Sequence, residues 1–130
     1  MKRLLPFMLI WVCTSTLAQT APSKYIELYK DAAVKQMNKY GVPASIILGI
    51  AMHESGSGTS KIARYLNNHF GMKGQNQSTQ IKSSYKGYDS PESSYEDFIG
   101  ALKRRSQFSG LFDRFSDYDY RSWVFGIQRG

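Results

Sequence analysis

Residues 43–54 read Pro43-Ala44-Ser45-Ile46-Ile47-Leu48-Gly49-Ile50-Ala51-Met52-His53-Glu54. The run is apolar almost all round, ends on two ionisable residues, and is stopped by Ser55-Gly56-Ser57-Gly58. Its length and pattern predict a buried central helix over 43–54. Pro43 suits the first turn of that helix, and Gly41 suits the end of the one before it. Glu54 lies four residues after Ile50 and seven after Ile47, which places it on the apolar stripe in the last turn. There the helix dipole is negative. Apolar surroundings and that dipole both disfavour a charged carboxylate, the condition a general acid requires. The competing reading is an ordinary surface acid where the helix emerges.

Working outward, apolar residues at 25, 28, 29, 32, 33, 37 and 40 mark an amphipathic helix upstream. Downstream, a short helical turn is expected at 60–66, followed by Asn67-Asn68-His69-Phe70-Gly71. Residues 74–88 are rich in Gly, Gln, Asn, Ser and Thr, with isolated Ile81, Tyr85 and Tyr88. They read as a short twisted hairpin or an extended loop. Ser90-Pro91 opens a further helix carrying Tyr95, Phe98, Ile99 and Leu102 on one face and Lys103-Arg104-Arg105 at its end. Short helices are expected near 109–115 and 120–126. The fold class is therefore α+β, mostly α-helical, with a small β-hairpin lobe.

The chain of 130 residues is 42% hydrophobic and 14% aromatic, the profile of one globular domain and not of a disordered chain. A single cysteine excludes an internal disulfide framework, and with only two histidines a Cys/His metal centre is not expected. We expect neither a metal nor an organic cofactor. Lys2-Arg3, the apolar run from Leu4 to Cys13 and the small residues up to Ala18 have the layout of a secretory signal. The expected organisation is a signal over 1–18, cut after Ala18 with Ala21 as the alternative, a leader over 19–24 and a domain over 25–130. The ten-residue apolar run is too short for a membrane span, which needs about 20 residues. Cleavage removes Lys2 and Arg3 and lowers the formal charge from +7 to +5. Such a charge draws a protein to polyanions. Export to the periplasm or cell exterior makes nucleic acid a poor partner and envelope polymers a better one.

The carboxylates can be weighed individually. Glu27 and Asp31 sit beside lysines on the first amphipathic helix, and Glu92, Glu96 and Asp97 fall early in theirs, where they serve stability. Asp113, Asp117 and Asp119 suit turns and caps. Glu54 alone occupies a position with catalytic potential.

Four strings occur in order: Gly41-Val42-Pro43-Ala44-Ser45; His53-Glu54-Ser55-Gly56-Ser57-Gly58; Asn67-Asn68-His69-Phe70-Gly71-Met72-Lys73; and Tyr88-Asp89-Ser90-Pro91-Glu92-Ser93-Ser94-Tyr95-Glu96-Asp97. Together they resemble the bacterial endo-β-N-acetylglucosaminidases of glycoside hydrolase family 73, from about Tyr25 onward. The resemblance implies a lysozyme-like fold with a glycan groove and hydrolysis of the β-1,4 bond after N-acetylglucosamine in peptidoglycan. It makes Glu54 the catalytic acid. His69 and Phe70 become candidate sugar contacts, although a packed turn is the simpler role for both. Tyr85, Tyr88 and Asp89 are the other substrate-binding candidates, whereas Tyr95 and Trp123 at helical spacing are assigned to the core.

The chain departs from the family pattern twice. Residues 74–88 contain no Asp or Glu where a second carboxylate is often carried, leaving Asp89 as the nearest. The family also continues past residue 126 into a segment with a groove tyrosine, so the domain is expected to be C-terminally shortened. With one evident acid, the substrate's acetamido group or a tyrosine-oriented water must complete the reaction. The alternatives are a lytic transglycosylase, which also works with one glutamate, and a feeble or inactive wall-binding domain. A monomer acting on glycan strands is expected.

Overall fold

Thr20 opens the first helix: its side chain accepts from the Ser23 amide and Pro22 occupies the first turn. The computed structural model describes residues 20–130. Helix α1 spans Ala21–Tyr40, so most of the expected leader is already helical. The secretory signal expected for 1–18 lies outside the described residues. Gly41 ends α1 in the left-handed conformation, with φ +79° and its amide on the Met37 carbonyl at 2.7 Å.

The decisive stretch forms α2, Ala44–Ser55. Ile47, Ala51 and Ser55 are fully buried, but Ser45, Gly49, His53 and Glu54 are exposed. The helix therefore covers only one side, and the expectation of burial all round is corrected. Short α3 (Lys61–Leu66) is capped by the Ser60 side chain. Then come α4 (Pro91–Arg104), capped by Ser90, α5 (Ser106–Arg114) and α6 (Tyr120–Arg129).

Helix α1 packs on α2 and α4, α4 on α5, and α6 closes against α2 and α5. One core joins Tyr25, Ala33, Val42, Ile47, Tyr95, Ile99 and Trp123. Tyr95 and Trp123 are wholly buried, in agreement with their assignment to the core. Trp123 donates from its indole to the Ser116 carbonyl at 3.0 Å, and Phe112 meets its ring edge-on. Among the described residues, no helix is long and apolar enough to cross a membrane.

The segment between α3 and α4 contains no regular strand; pairing is limited to one antiparallel bridge, Lys73 with Tyr85. Of the two expected forms, the extended loop is the one observed. Few β-branched residues are present to extend a ladder; three backbone amides, of Gly74, Lys86 and Gly87, donate across the segment to the Ser84, Met72 and Gln75 carbonyls, and asparagine amides add to them. Asn68 Nδ2 donates to the Met72 and Lys86 carbonyls, both at 2.8 Å. Asn76 Nδ2 donates to those of Ser83 and Tyr85, at 2.9 and 2.8 Å.

Candidate functional site

The last turn of α2 carries Glu54 out of the core to the turn at Gly71. A Cβ placed on Gly71 would lie 3.6 Å from Glu54 Oε2 and 3.8 Å from Tyr85 Cε1. Glycine thus lets the backbone run close between a carboxylate and a phenol ring, and its φ of +64° is one that other residues adopt at a cost. Asn68 Oδ1 holds this turn from both sides, accepting from the Phe70 amide at 3.3 Å and the Met72 amide at 3.1 Å. Tyr85 is placed opposite by its bridge to Lys73, whose ammonium stands 3.4 Å from the ring centroid.

Glu54 is exposed, so the desolvated carboxyl expected from the sequence is not found in the free protein. Its angular position on α2 lies beside Ile47, but the buried stripe runs through Ala51 to Ser55, so Glu54 falls at the edge of that stripe and emerges while Ser55 stays buried. The Ser-Gly-Ser-Gly segment after it is rigidly held: Ser55 Oγ accepts from the Gly58 amide at 2.8 Å, and Gly58 packs under the Tyr25 ring.

His69 and Phe70 have little surface left for a sugar. They are 2% and 5% exposed, which corrects their candidacy as direct contacts. His69 Nδ1 shares a 2.7 Å hydrogen bond with the Tyr25 hydroxyl, which meets the Tyr95 hydroxyl at 2.8 Å. Burial lowers the His69 pKa to about 4 and keeps the ring neutral, and raises that of Tyr25 to about 12. Phe70 stacks on Phe98 with ring centroids 4.3 Å apart and meets Tyr95 edge-on. Their packing anchors the turn that presents Gly71.

Tyr88 and Asp89 belong to another surface. They line a concavity of about 600 Å³ whose wall also includes Tyr65, at the end of α3. Glu54, Gly71 and Tyr85 are not among its lining residues. The Tyr88 hydroxyl donates to Asp97 Oδ2 at 2.7 Å, and burial followed by this carboxylate drives its pKa upward. Burial opposes ionisation of Asp97, but the Lys86 ammonium at 2.7 Å and the Tyr88 hydroxyl outweigh it and hold the carboxyl below its usual range. Asp89 is exposed. Of the candidates, the structure unites Glu54 with Tyr85 and leaves Tyr88 and Asp89 together elsewhere. Gly71 and Lys73 were not singled out from the sequence, although both lie in the Asn-Asn-His-Phe-Gly-Met-Lys string that could have pointed to them. No group of three or more metal-binding side chains occurs among the described residues.

Comparisons with known proteins place the chain in a family. A family model described as mannosyl-glycoprotein endo-beta-N-acetylglucosaminidase matches residues 30–130. No curated protein matches the sequence. Among solved structures, the catalytic domain of the autolysin Auto from Listeria monocytogenes superposes with a TM-score of 0.71 at 22% identity, over 86% of this chain and 76% of that one. A chain from a type VI secretion system effector–immunity complex of Pseudomonas protegens gives 0.57 at 24% identity, over 82% of this chain and 75% of that one. These likenesses establish the lysozyme-like fold expected from the sequence. The family match runs from within α1 through Glu54, the Gly71 turn and all later helices, and on that ground the chain belongs to the glucosaminidase family.

Proposed function

We propose that this protein is an exported peptidoglycan hydrolase that cleaves the β-1,4 bond after N-acetylglucosamine, with Glu54 donating the proton to the bridging oxygen. The observation that carries this reading is the approach of the exposed Glu54 carboxylate to the left-handed Gly71 turn beside Tyr85. Family membership supports the reaction class, and the fold shared with an autolysin catalytic domain supports the cell wall as its target.

The exposed state of Glu54 sets a condition on the mechanism. A seated glycan would itself exclude water from the carboxyl and favour its protonated form. As the glycosidic bond breaks, positive charge develops at the anomeric carbon. The segment 74–88 supplies no carboxylate to meet it, so the substrate's own acetamido oxygen, or a water held by Tyr85, completes the reaction.

Purified protein and its Glu54→Gln variant, assayed on isolated peptidoglycan with mass spectrometry of the ends released, test the proposal. We expect reducing N-acetylglucosamine ends and a loss of about 10²- to 10⁴-fold in the variant, the span of general-acid contributions. Equal rates would remove Glu54 from its role. Anhydro-muramyl ends would replace hydrolysis by transglycosylation, and pelleting with wall material without product would reduce the protein to a binding domain.

A further inference from the structure

The concavity beside α3 has a lining of distinctive chemistry. Its walls contain the amides of Gln75, Gln77 and Gln80, the rings of Tyr65 and Tyr88, and the Asp89 carboxylate, with no lysine or arginine. In a chain with an excess of seven positive charges, the lining offers an anion no cation of its own: the neighbouring Arg64 and Lys86 stand 5.7 and 5.2 Å from the Tyr65 and Tyr88 ring centroids, and Lys86 is already paired with Asp97. Apolar side chains are few there, which rules against a lipid tail. Amide and carboxylate acceptors and amide donors beside an exposed aromatic face suit an uncharged polyhydroxylated ligand: hydroxyl and acetamido groups pair with the former, and a pyranose C–H face lies on the latter.

The wall is also built to hold its shape. Asn76 fixes the far side through its bonds to the Ser83 and Tyr85 carbonyls and accepts from the Ser78 amide at 3.1 Å. Ser78 Oγ in turn accepts from the Gln80 amide at 3.2 Å. These bonds use Asn76 and Ser78, whereas the Gln75, Gln77 and Gln80 side chains stand exposed. Gly87 forms the floor, since a Cβ there would strike Asn76 Cβ at 2.9 Å. Tyr65 is 41% exposed, and Tyr88 is oriented by its bond to Asp97.

We propose that this concavity is a second saccharide-binding site, separate from Glu54, which takes a neutral N-acetylhexosamine chain and holds the protein on glycan while the first site works. Its choice of sugar rests on the proposed wall-cleaving function; the binding itself does not require turnover.

The test is titration of chitotetraose into the full-length Glu54→Gln protein, followed by amide NMR, with Tyr65→Ala and Gln80→Ala made in that background. We expect saturable shifts at residues 65, 77–80 and 87–89, weakened at least fivefold by Tyr65→Ala and also weakened by Gln80→Ala. Gln80 is exposed on a loop, so its variant carries the test if Tyr65→Ala fails to fold. Shifts confined to the surroundings of residue 54, or none, would overturn the proposal. Turnover is read separately on the native sequence: shifts at 65, 77–80 and 87–89 without product would sink the hydrolase reading and leave this site standing, and product without those shifts would do the reverse.

Discussion

At the scale of single residues, Gly71 and His69 do opposite work in one turn. Gly71 contributes by lacking a side chain. Gly71→Ala is expected to cost about 1–2 kcal/mol for a left-handed alanine, and to lower activity further by placing a methyl between Glu54 and Tyr85. Thermal denaturation beside the wall assay separates the two effects. His69 contributes by remaining neutral. With its pKa lowered by burial to about 4 from an ordinary 6.5, the unfolded chain binds the extra proton between those values. Stability from this group is therefore complete above about pH 6.5 and declines as the pH falls toward 4. Urea denaturation at pH 7 and pH 4.5 should show that decline, and His69→Gln should flatten it. The carboxyl of Glu54 illustrates what sequence spacing can and cannot reveal. Its place beside Ile47 was legible, but its exposure was not, because spacing alone does not say that the buried stripe drifts through Ala51 to Ser55 and leaves position 54 at its edge.

At the scale of elements, caps and stripes made the helices legible. Ser60 and Ser90 cap α3 and α4 where side-chain chemistry predicts. The start of α1 was misjudged because Thr20 and Pro22, read as leader, are an N-cap and a first-turn proline. The lobe between α3 and α4 resisted assignment because its order comes from a few backbone bonds and two asparagines reaching across the chain, a long-range effect that local propensity does not contain. One contact joins three elements: the Tyr25 hydroxyl links α1 to the 67–71 turn through His69 and to α4 through Tyr95. Tyr25→Phe leaves the shape intact but deprives two buried partners of a hydrogen bond. We expect a loss of about 1–3 kcal/mol in denaturant titrations, together with weaker wall cleavage as the turn loosens.

For the molecule as a whole, 17 basic residues face 10 acidic ones, and this asymmetry was fully visible in composition. Retention on insoluble wall material should accordingly weaken as added salt shortens the screening length from about 30 Å at 0.01 M to about 3 Å at 1 M. Pelleting assays across that range measure it. Retention that ignored salt would assign the attachment to uncharged contacts such as those beside Tyr65. The composition could not reveal that a polar hollow is lined without lysine or arginine, since that depends on which loops meet in three dimensions.

The absence of a ladder in the 67–89 lobe bears on how this family can diversify. Paired strands oblige each other to keep step, so that lengthening one shifts the register of its neighbour. Here three backbone bonds and the Asn68 and Asn76 side chains fasten 72–76 to 83–87, and the stretch between 77 and 82 forms an arc beyond them, tied internally through Ser78. Insertions or deletions within that arc alter its reach without unfastening either end. A longer or shorter arc would therefore reshape the rim of the hollow while the Gly71 turn and its Glu54 neighbour stay in place.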